Sequence, residues 1–301
     1  MLSTITQISA KVSRRDRMVL ASAAAIVLMM PTLYLSRSIG ATPAKPGEGQ
    51  PLRAVLPAGM IVDVLGMANH PSQGGPWWAP DGTPTATPYE KVNAEINGWK
   101  NELHREIAIR WIKRPSKDVT VYWGVNCSSG RGGTNGFDKN GNVIQDLGAL
   151  AALFSASETT CTVRFQIAAG PWETIAQTDG GQFGAEGEEK YGFVFSKASE
   201  RGGITAITIS HNVIDRDMRI VAVVEGGKET APDQLFSGSM KNIVQTDAEF
   251  SNLPLDGVQE FRLQARPYQI VEVRDIALNP GQATKPHLMV IDQPPDKAAG
   301  K

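Results

Sequence analysis

The sequence predicts an all-β protein, a jelly-roll-like β-sandwich behind a single N-terminal transmembrane helix. Three observations carry that prediction. Apolar and polar residues alternate with a period of two in run after run, as half-buried strands require. Gly (30) and Pro (19) punctuate those runs with turn-forming clusters. One uninterrupted apolar stretch stands at the start of the chain, and nothing like it recurs.

That stretch, Met18 to Leu35 (MVLASAAAIVLMMPTLYL), carries no charge. At about 1.5 Å per residue it makes roughly 27 Å of helix, near the thickness of a hydrocarbon core. Lys11, Arg14, Arg15 and Arg17 precede it against Asp16 alone, which places residues 1–17 in the cytoplasm, 18–36 in the membrane and the rest outside. The expected location is the inner membrane, single-pass, with an extracytoplasmic C-terminal domain. Small residues at Ser38 and Gly40-Ala41 leave open the alternative of a signal peptide cut there, with the domain exported.

Residues 37–55 mix Pro, Gly and small polar residues and read as a flexible linker. The folded part is expected over 56–279, open to a division into two packed halves near Gly170-Pro171. The clearest alternating runs are Met60–Met67, Glu106–Ile112, Val119–Asn126 and Cys161–Ile167. Later ones are Gly192–Ser196, Ile204–His211, Met218–Glu225, Glu260–Arg266 and Gln269–Ile276. Pro88–Leu103 and Asp146–Phe154 each have room for one or two helical turns, the latter with Asp146 as N-cap. Residues 280–301 read as a disordered tail, or as an extended segment whose run Leu288–Ile291 is tacked onto the domain.

A net charge of −1 and an ordinary 20% of charged residues imply no basic face, so no nucleic-acid partner is expected. Cys127 and Cys161 are an even pair in an oxidising compartment and are expected to form a disulfide, the alternative being two buried thiols. His70, His104, His211 and His287 lack partners at metal-ligand spacing, so neither metal nor cofactor is expected. The run Asn212–Asp217 reads as a turn between strands, and Ser128–Gly136 as a long hairpin loop rather than a phosphate cradle. No nucleophile elbow, Walker loop or dinucleotide fingerprint is present, so no catalytic residue is assigned.

Residues 70–82, HPSQGGPWWAPDG, hold two adjacent tryptophans between Pro-Gly turns. Either the rings plug one end of the core, or one of them faces solvent as a contact for sugars or partners. The binding candidates are therefore Trp77, Trp78, His70 and Asp81.

Four stretches together resemble a known family: VDVLGMANHPSQGGPWWAPDGTP, AAGPWETIA, the GFVFSKA to RDMRIVAV segment, and EFRLQARPYQIVEVRDIALNPGQ. They are similar to an exported domain common in Planctomycetes and related bacteria. That domain stands alone behind a membrane anchor, or forms the extracytoplasmic part of antibiotic-sensor-type membrane metallopeptidases and of sigma-factor-like proteins. The resemblance implies an accessory or sensing ectodomain and brings no catalytic residues. Function is thus expected to be binding or sensing, held to the membrane through residues 18–36, with a protein or envelope partner. A cell-wall or polysaccharide hydrolase with a carboxylate pair near Trp77 or Trp78, and a purely structural envelope protein, are the alternatives.

Overall fold

The computed structural model describes residues 49–72, 75–92, 102–134, 136–187 and 191–291. The expected membrane span lies outside them, and among the described residues no helix is long and apolar enough to cross a membrane. The described residues are nearly all-β, with strands joined by turns and three short 3₁₀ turns, and every ladder is antiparallel.

The described strands fall into four larger sheets and one two-stranded ribbon. In the first sheet Ile61–Asn69, Glu102–Lys113 and Leu147–Ser155 lie side by side, flanked by Trp77–Trp78 and by Ser129–Thr134. The second runs His287–Ile291, Gln269–Ala277, Thr160–Ala168, Thr120–Val125. Alternation decides what these two bury between them. From the first come Val62, Val64, Met67, Ile107 and Ile109; from the second come Val163, Phe165, Ile167, Val271 and Val273, all but inaccessible to water. At about 25 cal/mol per Å² of apolar surface, such burial is the main force holding the sheets together.

The chain leaves this pair of sheets after Ala168 and builds a second pair before returning at Gln269. Its third sheet runs Glu173–Thr178, Val258–Pro267, Arg216–Val224, Lys228–Thr230. The fourth runs Gly184–Gly187, Gly192–Phe195, Ile204–His211, Ile243–Ser251, Gln234–Met240. Phe193, Phe195, Ile207, Ile209 and Phe250 of the fourth meet Ile220, Ala222, Phe261 and Leu263 of the third in a separate core. Arg266, itself buried, ties the two pairs together. It bonds Asp217 in the third sheet, the Asp118 carbonyl and the Thr120 hydroxyl beside the second, and lies 4.1 Å from the Trp172 ring centroid.

Several expectations are corrected. Asp146–Phe154 is no helix: Leu147–Ser155 is a strand, and Asp146 pairs with Arg114 instead of capping a turn. Its run of Ala and Leu is buried on both faces, between the main core and a smaller cluster of Leu65, Trp77, Tyr89 and Ala108. A strand buried on both sides loses the alternation that would have marked it. Residues 129–134, read as loop, are a strand on that sheet. The linker ends earlier than residue 55, because Leu52–Val55 pairs with Ile61–Val64. At the other end, His287–Ile291 adds a strand to Gln269–Ala277, so of the two readings of the tail the extended run tacked onto the domain holds for this part, and the disordered one does not.

No disulfide joins Cys127 and Cys161, so the expected bond is not formed. The ladder continues from Val125↔Val163 to place the two cysteines opposite each other. Cys161 faces the core, where burial, then Cys127 and Glu158, push its pKa up; that favours the protonated, unreactive thiol.

Candidate functional site

The four sequence-derived candidates occupy one end of the first sheet, and they are built into its structure. Trp77 and Trp78 form a short strand on Met67-Ala68. Consecutive residues of a strand point to opposite faces. Trp78 therefore enters the main core beside Met67 and Ile107, and Trp77 enters the smaller cluster against Tyr89. They are 0% and 2% exposed. A surface contact requires an exposed ring face, and neither residue offers one.

Trp78 donates from Nε1 to the Ala277 carbonyl at 2.9 Å, and the Arg105 guanidinium lies over its ring. Trp77 packs edge-on against Tyr89 with centroids 4.9 Å apart, but its buried Nε1 has no hydrogen-bond partner. Gly66 makes the close approach possible: at φ +140°, a Cβ there would stand 2.0 Å from the Trp78 carbonyl oxygen.

His70 is drawn to a partner that sequence reasoning missed. Its Nδ1 lies 2.8 Å from Oε1 of Glu106, a carboxylate only 1% exposed. The same oxygen accepts from the Ser72 backbone N–H at 2.8 Å, and Oε2 accepts from the Tyr89 hydroxyl at 2.7 Å. Burial, then the Glu106 charge, push the Tyr89 phenol pKa far up, so Tyr89 stays a donor. This is a buried, fully engaged carboxylate that pins the 70–72 loop and the Tyr89 segment onto the sheet. Glu106 stands two residues from His104 but 36 from His70, so local spacing in the sequence gives no sign of this pair.

Asp81 accepts from the Thr83 N–H and hydroxyl at 3.0 and 2.6 Å, closing the Asp81-Gly82 turn. The turn is held from outside by residues 277–284: Ala277 and Thr284 bond to the Pro80 carbonyl, and Gly281 to that of Gly82. His70, Trp77 and Trp78 thus share one neighbourhood, while Asp81 serves the adjoining turn. None of them lines the hollow on the second sheet.

A concavity lies elsewhere, on the outer face of the second sheet, with a volume of about 600 Å³. The alternation that sends Val163, Phe165 and Ile167 inward leaves Thr162, Arg164 and Gln166 facing out. In the neighbouring strands, Tyr122, Gly124 and Asn126 lie beside them on one side, and Glu272 and Arg274 on the other. Gly124 supplies the hollow, since a Cβ there would meet nothing within 4 Å.

Charge in this hollow is arranged around Glu272, which is 3% exposed. Arg164 and Arg274 hold it by charge-assisted hydrogen bonds of 2.7 Å, each also close through Nη2. Burial alone would raise the Glu272 pKa; the hydrogen bonds from Arg274 and Arg164 outweigh it and hold the carboxyl below its usual range. Two guanidiniums against one carboxylate leave the face with one net positive charge. Asn126, Thr162 and Gln166 add neutral donors and acceptors, and the half-exposed Tyr122 ring adds an apolar wall. The alternation in CTVRFQI and QIVEVRDI signalled which side chains face outward, but not that these two runs are neighbours.

Among the described residues no group of three His, Cys, Asp or Glu side chains is placed to hold a metal ion. Within the Asn212–Asp217 run, Asp215 accepts from the Tyr191 hydroxyl and Asp217 pairs with Arg266.

Fold and site together define an all-β protein of paired antiparallel sheets with a polar, weakly cationic hollow on one outer face. No family model matches the chain, and no curated protein is similar to it. Among solved structures, a conserved domain protein from Bacillus anthracis is similar at 8% identity over 80% of this chain and 90% of that one. The TM-score is 0.21, and at that level the likeness carries no argument.

Proposed function

We propose that this protein is a binding or sensing module of the cell envelope, and that its ligand face is the hollow on the outer face of the second sheet. In this reading each pair of sheets is one half of a jelly-roll-like β-sandwich, and residues 18–36 anchor the pair outside the inner membrane. The domain then belongs with the exported domains common in Planctomycetes and related bacteria, and acts without catalysis.

The observation that carries the reading is the set of Arg164, Arg274, Gln166 and Tyr122 around an open hollow of about 600 Å³. Such a volume lies within the ordinary range of ligand sites. Guanidiniums suit carboxylate groups, and a tyrosine face suits the apolar side of a sugar ring. The ligand class is a carboxylate-bearing glycan of the envelope. Glu272 is already engaged by two arginines, so it orients them instead of serving as a free acid or base.

The test titrates full-length protein in nanodiscs with a polyuronic acid oligosaccharide. Tyr122→Ala and Gln166→Ala leave the Glu272 pairs intact and are expected to weaken binding about tenfold each, from a lost ring contact or hydrogen bond. Binding should also weaken with added salt. Saturable binding that both variants leave unchanged would move the ligand face elsewhere. No binding to acidic or neutral envelope glycans at low salt would remove the proposal.

A further inference from the structure

The fourth sheet ends in a strand with an open edge. Gln234–Met240 pairs with Ile243–Ser251 on one side, and among the described residues no strand pairs with the other. Every residue of the strand is exposed. Native sheet ends are usually blunted by charge or proline, which stops other chains from adding to them. The last strand of the third sheet, Lys228–Thr230, follows that rule with Lys228 and Glu229, whereas QLFSGSM contains neither a charged residue nor a proline. Its Phe236 and Met240, 55% and 76% exposed, lie on the same face of the strand.

The register fixes which backbone groups face outward. Met240 and Ile243 close the hairpin across the turn Lys241-Asn242, and from there the pairs run Gly238↔Gln245, Phe236↔Asp247 and Gln234↔Glu249. At the far end the Glu249 carbonyl accepts from the Asp233 N–H at 2.8 Å, so Glu249 turns its backbone toward this strand. Antiparallel ladders alternate, each residue directing its N–H and its C=O to the same side. Gln234, Phe236, Gly238 and Met240 therefore bond inward, to Ile243–Ser251. Leu235, Ser237 and Ser239 present theirs to the open edge.

We infer that this edge is the interface of a homodimer, in which a second copy adds its own Gln234–Met240 in antiparallel register with the two-fold axis at Ser237. That register engages every outward group: Leu235 meets Ser239 of the second copy and Ser237 meets Ser237, each pair exchanging two N–H···O bonds. It also sets Phe236 opposite Gly238, in the closer, non-hydrogen-bonded kind of pair. A Cβ on Gly238 would meet nothing within 4 Å, so room for that ring stands open. Just beyond the strand, the exposed Asp233 meets the exposed Lys241, which puts opposite charges together at both ends. A shift of two residues either way strands one outward group and sets Asp233 opposite Ser239 or Ile243. The charge match and the Phe-Gly fit are properties of this strand with itself, which is why the occupant is a second copy and not an unrelated extended segment.

The test follows the oligomeric state of detergent-solubilised full-length protein by sedimentation velocity as concentration is varied, and a monomer–dimer equilibrium is expected. Ser237→Pro removes an outward N–H without touching the ladder to Ile243–Ser251, and Gly238→Lys adds a side chain where the monomer has open space. Each should keep the parent's far-UV circular dichroism and raise the dissociation constant at least tenfold. Chains with Lys241→Glu and chains with Asp233→Lys should each dimerise poorly alone and better when mixed, because only the mixed dimer opposes unlike charges at both ends. A mixture of Phe236→Cys and Gly238→Cys chains should form a 236–238 disulfide under mild oxidation. Neither variant alone should cross-link through its new cysteine, since like positions lie diagonally about 7–8 Å apart. A parent that stays monomeric, or a dimer indifferent to both Ser237→Pro and Gly238→Lys, would overturn the inference. So would the absence of any gain on mixing the charge variants, or cross-linking as strong in the separate cysteine variants as in the mixture.

Discussion

Substituting phenylalanine at each of the paired tryptophans should have unequal consequences, although both rings are buried side by side in sequence. Either change keeps an aromatic ring and opens a void of roughly 40 Å³, worth about 1 kcal/mol at about 24 cal/mol per Å³. At Trp78 the change also removes the donor to the Ala277 carbonyl, which joins the first sheet to the end of the second. Leaving that bond unmade costs about 1–3 kcal/mol, so Trp78→Phe should destabilise by about 2–4 kcal/mol. At Trp77 the change removes a buried N–H that has no partner. Relief of that desolvation offsets the void, and Trp77→Phe should lie within about 1 kcal/mol of the parent. Urea denaturation of full-length protein, followed by far-UV circular dichroism, reads both through the transition midpoint at constant slope. Equal losses, or a larger loss at Trp77, would refute the assignment of Trp78 as the bonded ring and Trp77 as the orphan.

Two further outcomes follow from the buried carboxylates. Glu106→Ala strips the acceptor from His70, Ser72 and Tyr89 at once and should cost about 3–5 kcal/mol, with Glu106→Gln intermediate; equal midpoints for the two variants would refute this. The Glu272 carboxyl has a folded pKa below its unfolded one, so its contribution to stability is present above the unfolded value near ~4.3 and is lost as pH falls through the folded value. Arg164→Ala with Arg274→Ala leaves burial alone acting on Glu272, which reverses the sign; the drop in urea midpoint between about pH 5 and pH 3 should therefore shrink in the double variant.

Much of the fold was legible because alternation is a local signal. CTVRFQI, ITISH and QIVEVRDI each show their buried side directly, and the strands fall where those runs lie. The run that misled, LGALAALF, is buried on both faces, so no periodicity survived to separate a strand from a helix. The segment 279–291 was legible only as a choice between a disordered tail and an extended segment tacked onto the domain, for a different reason. Its polar, Pro- and Gly-containing sequence becomes ordered only because the Asp81-Gly82 turn and the edge of Gln269–Ala277 provide partners.

What the sequence determined by itself is the all-β class, the turns, and which side of each clear strand faces the core, since these depend on neighbours one or two residues apart. Tertiary structure alone decided which strands are adjacent, and with that every site. Glu106 meets His70 across 36 residues, and Arg164 meets Glu272 across 108. Trp77 and Trp78 left the surface because Gly66 let their strand dock. Contacts of that reach depend on sheet order and register, which no local pattern of residues encodes.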